Sequence, residues 1–144
     1  MDKNQKILDL YNQRKNEGLT ALALACGYAE LLLDDLFGDL TPDQHELVTH
    51  ISQAAPKAIA FWGALDIGPD LKMNLPPPDY YNLYQILRNE GLTPIFKMKG
   101  FAEVLLKQNL TDKQSEIMKL ILRQCEIIQE CWWYPEYNLN LEGE

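Results

Sequence analysis

Two short segments of this chain repeat one set of polar residues at a spacing that a single helix face can present together. Asn16-Glu17-Gly18-Leu19-Thr20 recurs as Asn89-Glu90-Gly91-Leu92-Thr93, 73 residues later. On a helix, residues three and four apart are surface neighbours, so Glu17 meets Thr20 and Glu90 meets Thr93, with each asparagine one turn before its threonine. A carboxylate beside a hydroxyl is a geometry that permits acid–base work. The simpler reading is that the glutamates are solvated helix residues and the threonines bond a carbonyl of the preceding turn. The two histidines, His45 and His50, are five apart and miss the one-face spacing of a metal-binding pair. A surface role is expected for both, with Glu46 and His50 forming a local pair. The Glu-x-x-His repeat of di-iron bundles is missing, so no metal and no cofactor is expected. Cys26, Cys125 and Cys131 have no metal-ligand spacing, and their odd number argues against a disulfide framework. They read as reduced thiols.

The elements that carry these residues are duplicated as well. Gly27-Tyr28-Ala29-Glu30-Leu31-Leu32-Leu33 recurs as Gly100-Phe101-Ala102-Glu103-Val104-Leu105-Leu106 at the same offset. After three extra residues in the first copy, Leu40-Thr41-x-x-Gln44 matches Leu110-Thr111-x-x-Gln114, and the match runs on to Trp62 and Trp132, now 70 apart. The repeats span 5–66 and 79–134, and a proline-rich linker over 70–78, with Pro76-Pro77-Pro78, favours an extended path between them.

Each copy reads as two helices. In the first helices the apolar steps are Leu22, Ala25, Ala29, Leu32 and Ile95, Met98, Ala102, Leu105. The second helices open with Thr-x-x-Gln capping boxes at Thr41 and Thr111. They continue through Leu47, Ile51, Ala54, Ala58, Phe61 and Leu65 in one copy, and Ile117, Ile121, Gln124, Ile128 and Cys131 in the other. A hairpin with one stripe per helix cannot close a core alone, whereas two can. The spacing therefore predicts an all-α four-helix bundle over 1–144, a monomer with pseudo-twofold symmetry. Pro56 and Pro94 predict kinks, and Gly18, Gly27, Gly91 and Gly100 each weaken helix propensity by roughly 1 kcal/mol, a cost that close helix packing can offset. Trp62 and Trp132 should plug the bundle end, Trp133 has no counterpart and is expected to be exposed, and Tyr80, Tyr81 and Tyr84 should pack.

At 47% hydrophobic and 24% charged residues, the 144-residue chain lies far from the composition of disorder. A formal charge of -8 argues against a surface that tracks phosphates, so nucleic acid is not an expected partner. No apolar run approaches the roughly 20 residues that cross a bilayer, and Met1 to Lys6 lacks the apolar stretch of a secretory signal, so a cytoplasmic protein is expected. The halves differ in charge. Residues 16–71 carry nine acids and one base, whereas residues 89–144 carry nine acids and six bases.

Asn89-Glu90-Gly91-Leu92-Thr93-Pro94-Ile95, followed by Lys99 to Leu106 and then Leu110-Thr111-x-x-Gln114, resembles the dimerisation and histidine-phosphotransfer domain of bacterial sensor histidine kinases. That family's phosphoacceptor motif is His-Glu-Leu-Arg-Thr-Pro-Leu, followed by a Gly-Tyr/Phe-Ala-Glu-Leu-Leu stretch and a second helix. The second copy keeps Glu90, Thr93 and Pro94 but has Asn89 in place of the histidine. The first copy has Asn16, keeps Glu17 and Thr20, and has Ala21 in place of the proline.

The asparagines decide the chemistry, because an amide nitrogen delocalised into its carbonyl is not a nucleophile as imidazole is. Phosphotransfer through Asn16 or Asn89 is excluded, and no Gly-rich phosphate loop is present for autokinase activity. The resemblance implies a non-catalytic module that binds a two-component partner, a response-regulator receiver domain or a sensor kinase. Its partner-binding residues are Asn89, Lys97, Lys99, Asn16, Glu17 and Thr20. Lys97, Lys99 and Lys107 would meet a receiver's acidic pocket, which favours the second copy. Two alternatives stand beside this reading. One is a receiver phosphatase in which, as the resemblance implies, Glu90 and Thr93 orient an in-line water; the other is a purely structural or oligomerising bundle.

Overall fold

Apolar side chains spaced alternately four and three residues apart build the interior. The computed structural model describes residues 3–64 and 77–133. These form four helices and no strands: α1 (Lys3–Leu33), α2 (Pro42–Ala64), α3 (Pro77–Leu106) and α4 (Asp112–Trp133). Both α1 and α3 pack against α2 and α4, so α1 and α3 occupy opposite corners of a four-helix bundle. Among the described residues no helix is long and apolar enough to cross a membrane.

Leu22, Ala25, Ala29 and Leu32 of α1, and Ile95, Met98, Ala102 and Leu105 of α3, are all buried as their spacing predicts. In α2 the register differs by one residue from the expected stripe. Val48, Ala55 and Trp62 are buried with Ile51 and Ala58, whereas Leu47, Ala54 and Phe61 are only partly covered. Leu65 lies outside the described residues. In α4, Met118 and Cys125 join Ile121, Ile128 and Cys131 in the core, while Ile117 is partly covered and Gln124 sits on a groove wall. Either phase of α2 is apolar, so periodicity alone does not choose between them. Gln44 and Gln114 do, because each is buried at the head of its helix, and stepping inward from them by four and three gives the observed seams.

Those two glutamines also tie the hairpins together. Each capping box closes as the sequence implies: the Thr41 N–H donates to Gln44 Oε1 (3.0 Å) and the Gln44 N–H to Thr41 Oγ1 (3.2 Å). Thr111 and Gln114 repeat this at 2.9 and 3.1 Å. The side-chain amides then cross to the other hairpin. Gln44 Nε2 donates to the Asn109 carbonyl (3.3 Å), and Gln114 Nε2 donates to the carbonyls of Gly38 (3.0 Å) and Asp39 (3.2 Å). Thr111 Oγ1 adds a bond to the Phe37 carbonyl at 3.0 Å. Gly38 has φ 113°, a left-handed conformation that favours glycine, and its missing Cβ leaves room for Thr111 and Gln114.

Away from the loops, Trp62 is fully buried and its indole N–H donates to the Gly91 carbonyl at 3.1 Å. Phe61 meets Trp62 edge to face, with centroids 5.4 Å apart. A Cβ on Gly91 would overlap the Trp62 ring, so this glycine permits a close approach. Gly27 and Gly100 do not serve that purpose: nothing lies within 4 Å of the Cβ position at either, so no close packing offsets their propensity cost. Both α2 and α3 stay helical across Pro56 and Pro94. α3 begins at Pro77, so the last two residues of the 70–78 linker belong to its first turn, where a missing N–H leaves no helical bond unmade. The rest of the linker, together with the side chains of Trp132, Trp133, Tyr80, Tyr81 and Tyr84, lies outside the described residues.

The two glycine environments set opposite expectations in α3. Gly91→Ala should destabilise the bundle by about 1–3 kcal/mol through overpacking against Trp62, despite the better helix propensity of alanine. Gly100→Ala, into open space, should stabilise it by roughly 0.5–1 kcal/mol. Urea midpoints of the two variants against the parent chain check both signs.

Candidate functional site

The helices place the two motifs near the middle of long first helices, on surfaces that face outward. Asn16, Glu17 and Thr20 are exposed on α1, and Glu90 and Thr93 are exposed on α3. The side chain of Asn89 lies outside the described residues. Thr20 behaves as the simpler reading expects: its hydroxyl donates to the Asn16 carbonyl one turn back, at 2.9 Å.

Glu17 is more engaged than a solvated helix residue. It accepts from Gln13 Nε2 at 3.1 Å, pairs with Arg14 Nη1 at 3.6 Å, and receives the Cys131 thiol of α4 at 3.7 Å. The first motif is thereby tied to the helix that α1 shares with the other hairpin. Residues of this motif line an open groove of about 410 Å³ between α1 and α4, walled by Asn16, Glu17, Thr20, Ala21 and Leu24 on one side and Gln124 and Ile127 on the other.

The lysines of the second copy do not act as one patch. Lys97 is exposed one turn beyond Thr93, whereas Lys99 reaches across α3 and α4 to Gln129 Oε1 at 3.3 Å. Residues two apart on a helix point in different directions, so the structure separates the two cations that proximity in sequence suggests as partners. Lys107 is exposed in the turn after α3.

Sequence reasoning missed the α4 wall of the groove and Leu24. The available signal was phase. Leu24, Leu120 and Ile127 are apolar yet fall between the four–three steps of the buried seams, and Leu24 and Leu120 are 44% and 38% exposed. At the matching offsets the other copy has Lys97, His50 and Lys57, all exposed. Positions matched in sequence between the two motif-bearing faces therefore differ in chemistry.

Both histidines are on the surface of α2. His50 Nε2 lies 3.8 Å from Glu46 Oε1, the local pair expected from their spacing, and its ring stacks on Phe101 of α3 with centroids 5.4 Å apart. His45 Nδ1 lies 3.4 Å from Thr49 Oγ1. The three cysteines are free thiols. Burial pushes Cys125 up to about 12, only partly countered by Lys99, and burial with the Glu17 carboxylate pushes Cys131 up to about 11. Burial and Glu30 raise Cys26 as well. None is a nucleophile at neutral pH. Comparison with known protein families, curated proteins and solved structures found no match for this chain.

The buried thiols give the fold a defined alkaline limit. Their folded values lie above the ordinary 9.0, so the fold favours the neutral form. That contribution is complete below pH 9 and is lost as pH rises from 9 towards about 11–12. Replacing the thiol by an apolar side chain of similar size, Cys125→Val, should flatten the fall in stability over this window and leave the profile below pH 8 parallel to that of the parent. Denaturant titrations at stepped pH measure the difference.

Proposed function

We propose that the chain is a non-catalytic relative of the histidine-kinase phosphotransfer domain that binds a two-component partner, a receiver domain or a kinase, without exchanging phosphate with it. The observation that carries this reading is the placement of the two degenerate motifs. Each lies outward on the long first helix of a hairpin, and the two first helices stand at opposite corners of one bundle. Two tandem copies in one chain thus supply four helices, where the resembled domain draws them from two subunits. The substitution of histidine by Asn16 and Asn89 leaves a surface with the motif's outline and no group able to form a phosphoramidate.

The α2–α3 face is the better surface for an acidic receiver pocket. Glu90, Thr93 and Lys97 follow one another at helical spacing on α3, and α2 contributes the exposed Lys57. Lys97 is the cation placed to meet the partner, whereas Lys99 is occupied with Gln129. On the α1–α4 face Glu17 takes the matching position of Glu90, and Leu24 that of Lys97.

Titration against a set of phosphorylated receiver domains tests the reading. One receiver should bind saturably with no acid-labile phosphate appearing on the chain, and Lys97→Glu should weaken binding by about 1–2 kcal/mol, in a salt-dependent manner. Receiver phosphate should disappear at the same rate with the parent chain, Thr93→Ala and Thr20→Ala. A rate raised by the parent and restored to the receiver's own rate by Thr93→Ala would instead establish the phosphatase. Absence of binding to every receiver and every kinase tried would leave a structural bundle.

A further inference from the structure

The polar contacts between the two hairpins are reciprocal. Gln44 Nε2 of the first hairpin donates to the Asn109 carbonyl of the second, and Gln114 Nε2 of the second donates to the Asp39 carbonyl of the first. Positions 39 and 109 are matched at the same offset of 70 as 44 and 114. A contact in which i meets j while j meets i is the mark of an isologous interface, where both partners use one patch. The buried tryptophan is no more selective. Its indole bonds the carbonyl of Gly91, and the first repeat has Gly18, also buried, at the matched position. By these bonds alone, two first hairpins or two second hairpins would fit together as well as one of each.

Side-chain size breaks that equivalence. Where both matched residues are buried, several pairs are equal, such as Leu32 and Leu105 or Ile51 and Ile121. The unequal pairs all lean one way. Ala25 is matched by Met98, Val48 by Met118, Ala55 by Cys125 and Ala58 by Ile128, so the larger residue belongs to the second hairpin each time. Phe61 and Cys131 stand outside this comparison, because Phe61 is only partly covered. A protein interior packs nearly as densely as an organic crystal, so the volume that facing hairpins supply must match the space between them. Two first hairpins would bring alanine, valine, alanine and alanine twice and leave voids. Two second hairpins would bring methionine, methionine, cysteine and isoleucine twice and overfill the same space. The observed bundle combines one of each, with all eight side chains at most 1% exposed.

We propose that the inner face of each hairpin is an interaction surface selective for a hairpin of the opposite core size, so that the first hairpin recognises the second and neither recognises its own kind. The glutamines and glycines that the repeats share set the register of pairing, and the unequal residues choose the partner. The chain carries both halves and closes on itself. This proposal stands independently of the receiver reading.

Three variants of the full chain test it. One enlarges the first hairpin to the sizes of the second, with Ala25→Met, Val48→Met, Ala55→Cys and Ala58→Ile, and so presents two large hairpins to each other. Another reduces the second hairpin to the sizes of the first, with Met98→Ala, Met118→Val, Cys125→Ala and Ile128→Ala, and so presents two small ones. The third carries all eight changes and exchanges the sizes between the hairpins. Urea midpoints followed by circular dichroism should fall by about a third or more in each of the first two, or those chains should fail to fold. The third should return to within about a quarter of the parent midpoint and sediment as the parent does.

The eightfold variant is decisive. Independent core substitutions accumulate their costs, which would leave it worse than either fourfold variant, whereas matched sizes leave it better than both. An eightfold variant no more stable than the fourfold ones, or unfolded, overturns the proposal. So do fourfold variants as stable as the parent, because the core then accepts hairpins of one kind.

Discussion

A helical hairpin with one apolar seam per helix cannot cover its own interior, and both hairpins of this chain are in that position. Leu22, Ala25, Ala29 and Leu32 need a surface that α2 alone does not provide, and they find it in α4. The same holds for α3 between α2 and α4. Joining the hairpins in one chain makes association intramolecular, so the core does not wait on the concentration of a second molecule. The hydrophobic gain from closing four seams, roughly 25 cal/mol per Å² of apolar surface, is what the remaining features act upon.

Apolar burial is non-directional and does not choose a register, and α2 illustrates this with two apolar phases one residue apart. Directional contacts settle it. Gln44 and Gln114 cap their own helices and pair with the backbone of the opposite loop, so a slipped register would leave amide groups and carbonyls unmet in a partly buried site. Trp62 over Gly91 works in the same sense with shape added to a hydrogen bond. A ring of that size enters the core only where the facing helix has no Cβ.

With the interior so specified, the outward positions are free to differ, and they do. Beyond the paired glutamines Gln44 and Gln114, inward residues stay apolar in both repeats, as with Ile51 and Ile121 or Ala29 and Ala102. Outward ones exchange apolar for cationic character, Leu24 for Lys97 and Ile127 for Lys57. Surface substitutions of this kind scarcely alter stability, typically by no more than about 0.5 kcal/mol, so one scaffold tolerates two unlike faces. The thiols belong to the interior: Cys125 and Cys131 are small apolar packing groups whose ionisation is suppressed by burial.

The helices, their duplication and both capping boxes are legible in the residues alone, because these depend on interactions within a few residues along the chain. The sequence by itself also placed the seams of α1 and α3, where one apolar phase stands out. The seam of α2, the separation of Lys97 from Lys99, and the attachment of Glu17 to Cys131 were decided only by tertiary structure. Each depends on which residues of a distant segment lie opposite, information that local periodicity does not contain. The groove is the clearest case. Asn16, Glu17 and Thr20 were visible as a motif, but Gln124 and Ile127, more than a hundred residues away, become its second wall only when α4 packs against α1.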